Sequence, residues 1–385
     1  MRKLAVVTVG RSDYGIYLPI LRRIEANPRL SLCLIVSGMH LSPEFGLTAQ
    51  IIEKDGFKIG DKVEMLLSSD TPEGIAKSMG LGLIGFSQSY ARLKPDMIIV
   101  LGDRFEMHAA ALAALPFCIP VAHIHGGELT LGAMDDALRH SITKLSHLHF
   151  ASTELYARRI IQLGEEPWRV VVSGAPSLDN LTKLLSREEL ETNFGVDLTS
   201  PPLLVTFHPV TLEHEKAAYQ TDELLAALEA CHMPVIFTLP NADTGGRVII
   251  EKIRKAVQEH PLYQLVENLG TIGYFSMMAC AAAMVGNSSS GIVEAASFKL
   301  PVVNIGTRQE GRLHPENVID TGYERTEILK AIHKAISPSF QLKIKDLVNP
   351  YGNGQAAEII VQHLENIPLN ERLLKKKFYD LTANC

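Results

Sequence analysis

The stretch DMIIVLGDRFEMHAAALAALPFCIPVAHIHGGE, residues 96–128, decides the fold class. Its two apolar runs, 96–102 and 119–126, are short and rich in β-branched residues, which is typical of buried strands. A helix-length segment separates them. Near-continuous apolar strands with intervening helices predict a parallel sheet that is covered by helices on both faces.

The same alternation continues along the whole chain and restarts after residue 200. The polar segment 184–202, which ends in two prolines, is the predicted hinge. The fold class is therefore α/β, with two Rossmann-like doubly wound domains over 1–185 and 200–365 and a helical tail over 366–385. The other predicted strands are 4–9, 30–37, 147–152 and 170–174 in the first domain, and 202–209, 233–240, 263–269, 281–287 and 301–306 in the second.

Composition argues against several classes of partner. The 385 residues carry a formal net charge of −6 and include 46% hydrophobic residues, as ordinary globular proteins do. This charge predicts neither a nucleic-acid partner nor an acidic membrane surface. No uncharged apolar run reaches about 18 residues, so we expect no membrane span. The five cysteines are scattered without a CxxC spacing, which predicts reduced thiols and a cytoplasmic location.

Strand-end loops are where site residues are expected, because open α/β sheets bind ligands at the carboxyl ends of their strands; two such domains predict a cleft between them. After the first strand, Gly10 and Gly15 are expected to form a tight turn beside Arg11, with helix-start amides that favour a phosphate. An ordinary strand-to-helix turn is the alternative. In the stretch quoted above, Asp103 and Arg104 can serve as acid or base and as anion clamp, or form a structural ion pair.

The HIHGGE loop and the DDALRH helix start are the most informative motifs, and they contribute His125, Glu128, Asp135 and Asp136. Carboxylates at a helix start can simply be caps, but this many acids and histidines around one loop exceed what capping needs. A metal site is a further alternative. We predict no metal, because HxxE without a second close histidine is not a strong ligand pattern.

The strands of the second domain end in four polar groups, which together predict a nucleotide diphosphate site. The histidine among them can contact a phosphate or carry a proton, and a structural histidine is the alternative. The GNSSSG motif opens a helix, and its small hydroxyl residues can form a phosphate nest. The candidates at these strand ends are His208, Asn241, Asp243, Ser288, Ser289, Glu294 and Arg308.

An ordered series of motifs resembles the hydrolysing UDP-N-acetylglucosamine 2-epimerases of bacterial sialic and legionaminic acid synthesis, and the epimerase half of the bifunctional animal enzyme. The motifs are GRSDYG, RLKPDMIIVLGDRFE, HIHGGE, DDALRHSITKLSHLHF, GAPSLD, FHPVT, GNSSSGIVEAASF, PVVNIGTRQEGR and ENVI. The resemblance covers nearly the whole chain. It implies the glycosyltransferase-B architecture, UDP held mainly by the C-terminal domain, no cofactor, and a homo-oligomer, either a dimer or a tetramer.

The resemblance and the motifs together give the candidate site residues. Some relatives carry a glutamate in place of His125, so the individual roles of His125, Glu128 and Asp135 are left open. The candidate catalytic residues are Asp103, Glu128, Asp135 and His208. The candidate substrate-binding residues are Arg11, Gly15, Arg104, His125, Asp136, Asn241, Asp243, Ser288, Ser289, Glu294 and Arg308.

The reaction that the resemblance implies converts UDP-N-acetylglucosamine and water to N-acetylmannosamine and UDP through a 2-acetamidoglucal, for nonulosonic acid synthesis. One alternative is the same chemistry on UDP-2,4-diacetamido-2,4,6-trideoxyglucose (UDP-diacetylbacillosamine), and another is a non-hydrolysing 2-epimerase. A glycosyltransferase of the same fold and a non-catalytic sugar-nucleotide-binding protein are the other classes considered.

Overall fold

The computed structural model of the chain describes residues 1–67, 71–131, 134–182, 184–239 and 246–381. These residues form two units, each with a parallel β-sheet of its own. The first unit comprises Met1–Asp179 and the chain from Gly352 onward, and the second comprises Asn180–Tyr351. The chain therefore leaves the first unit, completes the second and then returns. The predicted α/β fold class is confirmed.

The first unit is built on a sheet that has seven strands in the described residues, all parallel to their neighbours. The strands are β1 (Arg2–Thr8), β2 (Leu30–Ser37), β3 (Ile59–Val63), β4 (Met97–Leu101), β5 (Val121–Ile124), β6 (Leu148–Ala151) and β7 (Val170–Val172). Their order is β3-β2-β1-β4-β5-β6-β7. The direction of winding reverses between β1 and β4, and ligands bind at such a switch point. The helices are α1 (Arg11–Ala26), α2 (Ala49–Lys54), α3 (Pro72–Leu93), α4 (Phe105–Ala114), α5 (Met134–Leu145) and α6 (Glu154–Gln162).

The second unit repeats this plan with a sheet of six parallel strands in its described part. The strands are β8 (Leu203–Thr206), β9 (Val235–Thr238), β10 (Tyr263–Val266), β11 (Ala283–Gly286), β12 (Val302–Ile305) and β13 (Val318–Thr321). Their order is β10-β9-β8-β11-β12-β13, so the winding reverses between β8 and β11. The helices are α7 (Arg187–Phe194), α8 (Ala217–Cys231), α9 (Gly246–Glu259), α10 (Gly270–Cys280), α11 (Ser289–Val293), α12 (Arg325–Ile336) and α13 (Pro338–Ile344).

Two strands, β3 and β13, were not predicted from the sequence, and both lie at sheet edges. An edge strand has little of its surface buried, so β3 reads IGDKV and β13 reads VIDT, without the apolar runs of the central strands. The predicted hinge also differs from the structure. Leu190, Val196 and Leu198 are buried in the core of the second unit, so this segment belongs to that unit.

The C-terminal segment belongs to the first unit, which corrects the predicted domain boundary at residue 365. It contains α14 (Ala356–Asn366) and α15 (Glu371–Leu374). Apolar side chains of α14, including Ile360 and Leu364, are part of the first unit's core. The Arg2 guanidinium donates to the Ile367 carbonyl at 2.7 Å, and that of Arg169 donates to the Leu373 carbonyl at 2.8 Å. Sequence periodicity predicts that α14 is a helix but does not indicate which sheet it covers.

The longest helix in the described residues has a polar as well as a buried face. This helix, the 22-residue α3, carries Glu73, Lys77 and Arg92 along its length. Within the part of the chain that the structure describes, no helix is both long and apolar enough to span a bilayer.

Candidate functional site

The candidate acids of the first unit follow two neighbouring strands. Asp103 lies between the end of β4 and the start of α4, and Glu128 lies in the loop after β5. Asp135 is in the first turn of α5. Because β4 and β5 pair in parallel, their carboxyl ends meet at one edge of the sheet. The structure therefore brings these three predicted residues to the same edge.

Arg139, one helical turn after Asp135 on α5, holds this acid cluster together. Its side chain is only 4% exposed and forms an ion pair with Asp103. Nη1 of Arg139 lies 3.6 Å from Oε2 of Glu128 and donates to the His125 carbonyl at 3.0 Å. Removing one partner from a buried ion pair costs about 3–5 kcal/mol, so this arginine fixes both acids in place.

His125 lies next to Glu128 in a strained backbone conformation. Its φ angle is 64°, a left-handed value that costs a residue with a side chain about 1–3 kcal/mol. Nδ1 of the ring is 2.6 Å from Oε1 of Glu128, and the same oxygen accepts a hydrogen bond from the Ser152 hydroxyl at 3.0 Å. Nε2 is buried and has no hydrogen-bond partner among the described residues.

Two glycines let the strand-end loops approach neighbouring backbone. Gly127 has a φ of 77°, and a Cβ there would collide with the Tyr156 carbonyl. Gly286 has a φ of 136°, and a Cβ there would collide with the Thr206 carbonyl. Both positions require glycine, because the conformation and the close contact exclude a side chain.

The electrostatic environment of Asp135 suits proton transfer. Burial raises the pKa of this carboxyl to about 6, nearby Asp103 raises it too, and Arg104 and Arg139 act in the opposite direction. Arg104 is itself held by Glu106, with 3.2 Å between Nη2 and Oε1. A carboxyl group with a pKa near neutral pH can both release and accept a proton under physiological conditions.

The GRSDYG segment is organised by Asp13, which was not predicted from the sequence. Its carboxylate accepts hydrogen bonds from the backbone N–H groups of Val9 at 2.8 Å and Gly10 at 2.6 Å. Burial raises the pKa of Asp13 to about 6. Helix α1 begins at Arg11, whose side chain is exposed. Gly15 lies inside that helix, so the prediction that it forms a turn is wrong.

The structure bears on two alternative roles of the acid motifs, as helix caps and as metal ligands. Asp136 contacts protein groups on both oxygens, since Oδ1 accepts from the Thr130 N–H at 2.8 Å and Oδ2 lies 3.6 Å from Nε2 of His140. It therefore stabilises the loop before α5. Within the described residues, no group of three histidine, cysteine or acidic side chains is arranged to hold a metal ion.

In the second unit, Asn287 organises three strand ends. Its fully buried side chain accepts from the His208 N–H at 2.7 Å and donates to the His208 carbonyl at 2.8 Å. Its carbonyl accepts hydrogen bonds from Arg308 at 3.0 Å and Gln309 at 2.8 Å. The structure thus brings His208 and Arg308 together after β8 and β12, on either side of β11. Burial, reinforced by Arg308, lowers the pKa of His208 to about 3, so this ring is neutral at pH 7.

The GNSSSG motif forms the start of α11, as predicted. Ser288 is the N-cap, Ser289 is the first helical residue, and Glu294 is the buried C-cap. The hydroxyl of Tyr274 lies 3.0 Å from that of Thr206 and is also hydrogen-bonded to the Ser288 side chain. This tyrosine comes from α10, so no local motif indicates its place in the site.

Asn241 and Asp243 cannot be located in the same way. They follow β9, the neighbour of β8, but lie outside the residues that the structure describes. Their predicted binding role therefore stays a prediction.

A family model described as UDP-N-acetylglucosamine 2-epimerase matches residues 22–365. The chain belongs to the UDP-N-acetylglucosamine 2-epimerase family. The match extends through both units, and it confirms the family that the motifs predicted.

Several proteins are similar to this chain over nearly their full length. A hydrolysing GDP/UDP-N,N'-diacetylbacillosamine 2-epimerase of Campylobacter jejuni is 41% identical, with 99% of each chain covered. A hydrolysing UDP-N,N'-diacetylbacillosamine 2-epimerase of Legionella pneumophila is 37% identical, with 98% of this chain and 99% of that protein covered. The crystal structure of a Neisseria meningitidis UDP-GlcNAc 2-epimerase bound to UDP-GlcNAc has a TM-score of 0.81 at 21% identity, covering 94% of this chain and 99% of that one. The fold is therefore GT-B-like, as the resemblance implied.

Membership of the UDP-N-acetylglucosamine 2-epimerase family makes the chain an enzyme of UDP-GlcNAc 2-epimerase type.

Three residues that organise the strand ends of the two units were not predicted as site residues, although each had a local signal in the sequence. Arg139 lies four residues after Asp135 on one helix face, and Asn287 directly follows a buried strand. Asp13 is at the third position of α1, where an acid can bond backbone N–H groups at the helix start.

Proposed function

We propose that the chain is a hydrolysing 2-epimerase that converts UDP-2,4-diacetamido-2,4,6-trideoxyglucose and water to UDP and the free sugar epimerised at C2. The observation that carries the chemistry is the acid cluster, in which the buried Arg139 contacts both Asp103 and Glu128. The choice of sugar is supported by the Campylobacter and Legionella relatives, which are named for this substrate. UDP-N-acetylglucosamine, expected from the sequence, is the second candidate, supported by the family description and the Neisseria neighbour.

The reaction needs acid and base groups on two faces of the sugar. A base removes the C2 proton while UDP leaves C1, which gives a 2-acetamidoglycal. An acid then delivers a proton to the opposite face of C2, and water attacks C1. Such proton transfers contribute about 10²–10⁴-fold each to the rate. Asp103, Glu128, Asp135 and the neighbouring His125 are the proposed group from which these roles are filled.

The second unit is the proposed UDP site. Arg308 supplies a cation, and Ser288 and Ser289 supply hydroxyl and helix-start N–H groups for the diphosphate. Glu294 is proposed to accept hydrogen bonds from ribose hydroxyls. Because the low pKa of His208 leaves its ring neutral, we propose that it hydrogen-bonds a phosphate rather than pairing with it as a cation. The other predicted binding residues are Arg11, Gly15, Arg104, His125, Asp136, Asn241 and Asp243.

A homo-oligomer is also part of the proposal. It is supported by exposed apolar side chains on the helical face of the first unit, where Leu81 and Ile84 on α3 are 42% and 58% exposed. Leu115 and Phe117, just after α4, are 41% and 40% exposed. Single exposed apolar residues are common, but several of them on or just after two helices that pack together, α3 and α4, favour a protein contact. The cytoplasmic location expected from the cysteines stays a prediction.

The test incubates the purified chain in heavy water with UDP-diacetylbacillosamine, its GDP analogue or UDP-N-acetylglucosamine, and follows each reaction by NMR. We expect one UDP released per free sugar formed, with the manno configuration and deuterium at C2, and fastest turnover on UDP-diacetylbacillosamine. Faster turnover of UDP-N-acetylglucosamine would move the assignment to the second candidate. Preference for the GDP sugar would show that the nucleotide of the substrate is GDP rather than UDP.

The remaining classes give different products in the same experiment. Two UDP-sugars in equilibrium would indicate a non-hydrolysing epimerase. Dependence on an added acceptor, with no label at C2, would indicate a glycosyltransferase. Binding of the sugar nucleotide without turnover would indicate a non-catalytic sugar-nucleotide-binding protein. Asp103→Asn should lower turnover by about 10²–10⁴-fold. Its matched control is Asp96→Asn, before β4, where the carboxylate accepts a hydrogen bond from the Lys3 N–H at 2.7 Å.

A further inference from the structure

The hydrogen bonds around Glu128 determine which nitrogen of His125 carries a proton. Oε1 of Glu128 accepts a hydrogen bond from the Ser152 hydroxyl, and Oε2 faces the Arg139 guanidinium. A carboxylate in this setting is ionised and can only accept hydrogen bonds. The 2.6 Å contact with Nδ1 of His125 therefore requires a proton on Nδ1. In the neutral ring, Nε2 is then an unprotonated nitrogen with an available lone pair.

The two side chains differ in their capacity to take a proton from a substrate. Both carboxylate oxygens of Glu128 already face protein groups. Nε2 of His125 is buried, and in the described part of the chain it has no hydrogen-bond partner.

The backbone at His125 shows that this arrangement is maintained against a conformational cost. The residue follows β5 with a φ of 64°, although it is not glycine. The Arg139 guanidinium holds its carbonyl at 3.0 Å, and Glu128 holds its ring. Strained residues that several contacts over-determine cluster at active sites.

We infer that Nε2 of His125 is the base that removes the C2 proton, and that Glu128 and Ser152 are positioning residues that orient the ring. This inference rests on the proposed function and assigns one role within it. As Nε2 takes the proton, the electron pair of the C2–H bond forms the C1–C2 double bond, and the pair of the C1–O bond leaves with UDP. The imidazolium that results faces the Glu128 carboxylate.

The second half of the reaction regenerates every group. A different acid protonates C2 from the opposite face, and water adds its oxygen to C1. The proton that this water loses restores the acid, and the imidazolium returns its proton to solvent. The net change is the consumption of one water and the release of UDP.

The test is His125→Gly with added imidazole. Glycine adopts a φ of 64° without strain, and the missing side chain leaves room for imidazole near the native ring position. We expect kcat to fall by about 10²–10⁴-fold with little change in KM, and imidazole to restore a large part of it. Glu128→Gln should lower kcat without changing KM, and imidazole should not restore this loss because the ring is still present.

The matched control is His232→Gly, because His232 is an exposed histidine with a φ of 54° at the end of α8. It should retain wild-type kcat with or without imidazole. If the His125→Gly protein does not fold, His125→Asn carries the test, since asparagine tolerates positive φ and lacks a basic nitrogen; kcat should fall at an unchanged melting temperature.

Two results would overturn the inference: wild-type turnover in the folded variant, or a loss in His125→Gly that imidazole does not reverse. Failure of the wild-type protein to release UDP from any of the three sugar nucleotides would instead refute the proposed function. The wild-type measurement therefore separates the two hypotheses before any variant is compared.

Discussion

The two units use the same sheet plan but organise their strand ends with opposite kinds of residue. In the first unit a buried cation, Arg139, contacts the acids Asp103 and Glu128. In the second a buried neutral amide, Asn287, connects His208 and Arg308. A charged centre sets protonation states, whereas a neutral one sets geometry without a charge requirement. We therefore expect changes in the first unit to alter kcat, and changes in the second to alter nucleotide affinity.

The largest effect is expected for Arg139→Met. It leaves the buried Glu128 and the partly buried Asp103 without their cation, so the free energy of unfolding should fall by about 3–5 kcal/mol. Turnover should fall by at least about 10²-fold, because the acids lose their fixed positions. Urea denaturation and steady-state kinetics measure both.

The control for this variant is Arg92→Met, which removes an arginine that is 59% exposed and paired with Asp61. An exposed pair of this kind contributes about 0–1 kcal/mol. If Arg139→Met were as stable and as active as this control, the ion pairs of Arg139 would contribute neither to stability nor to catalysis.

Arg308→Met should have an intermediate effect, on binding. A hydrogen bond to a charged group is worth about 1.5–3 kcal/mol, so the Kd for UDP and the KM should rise by about 10–100-fold, with kcat changed much less. Calorimetric titration with UDP measures the affinity. Arg254→Met, which removes an exposed arginine paired with Glu267 in the same unit, is the control and should bind normally. A loss in kcat at unchanged KM would contradict the division between the units.

The smallest effect is the pH dependence that Asp135 contributes. Its pKa is raised from 3.8 to about 6 in the folded protein, mainly by burial. The stabilisation from this group is therefore fully present below pH 3.8 and is lost as the pH rises through about 6. Asp135→Asn should flatten this slope in melting curves between these pH values. Asp136→Asn retains Asp135 and should retain the slope, and an unchanged slope in Asp135→Asn would contradict the assignment.

Sequence reasoning predicts those features of the molecule that arise from local patterns. Strands buried on both faces, such as β4 and β8, appear as continuous apolar runs, and the acids that follow β4 and β5 could be predicted from strand order alone. The edge strands β3 and β13 lack such runs because solvent covers part of their surface. The position of Tyr274 beside Thr206 depends on how α10 packs, and no sequence motif near Tyr274 indicates this packing.

Two further features could not be predicted from the sequence: the Nε2 of His125, which is unpaired within the described residues, and the return of α14 to the first unit. Both depend on contacts between residues far apart in the chain, such as that of Ser152 with Glu128 and that of Arg2 with Leu364. Spacing in the sequence carries no information on these pairs. The individual roles of the acids cannot be predicted from spacing for the same reason.

The return of the chain into the first unit has a consequence for biosynthesis. Residues that cover α1, including Ala357 and Ile360, leave the ribosome only after all of Asn180–Tyr351 has been made. During that interval the nascent first sheet lacks part of its apolar cover. The second unit is a continuous segment and can complete its core earlier. The first unit, whose synthesis begins first, is therefore the last to complete its core.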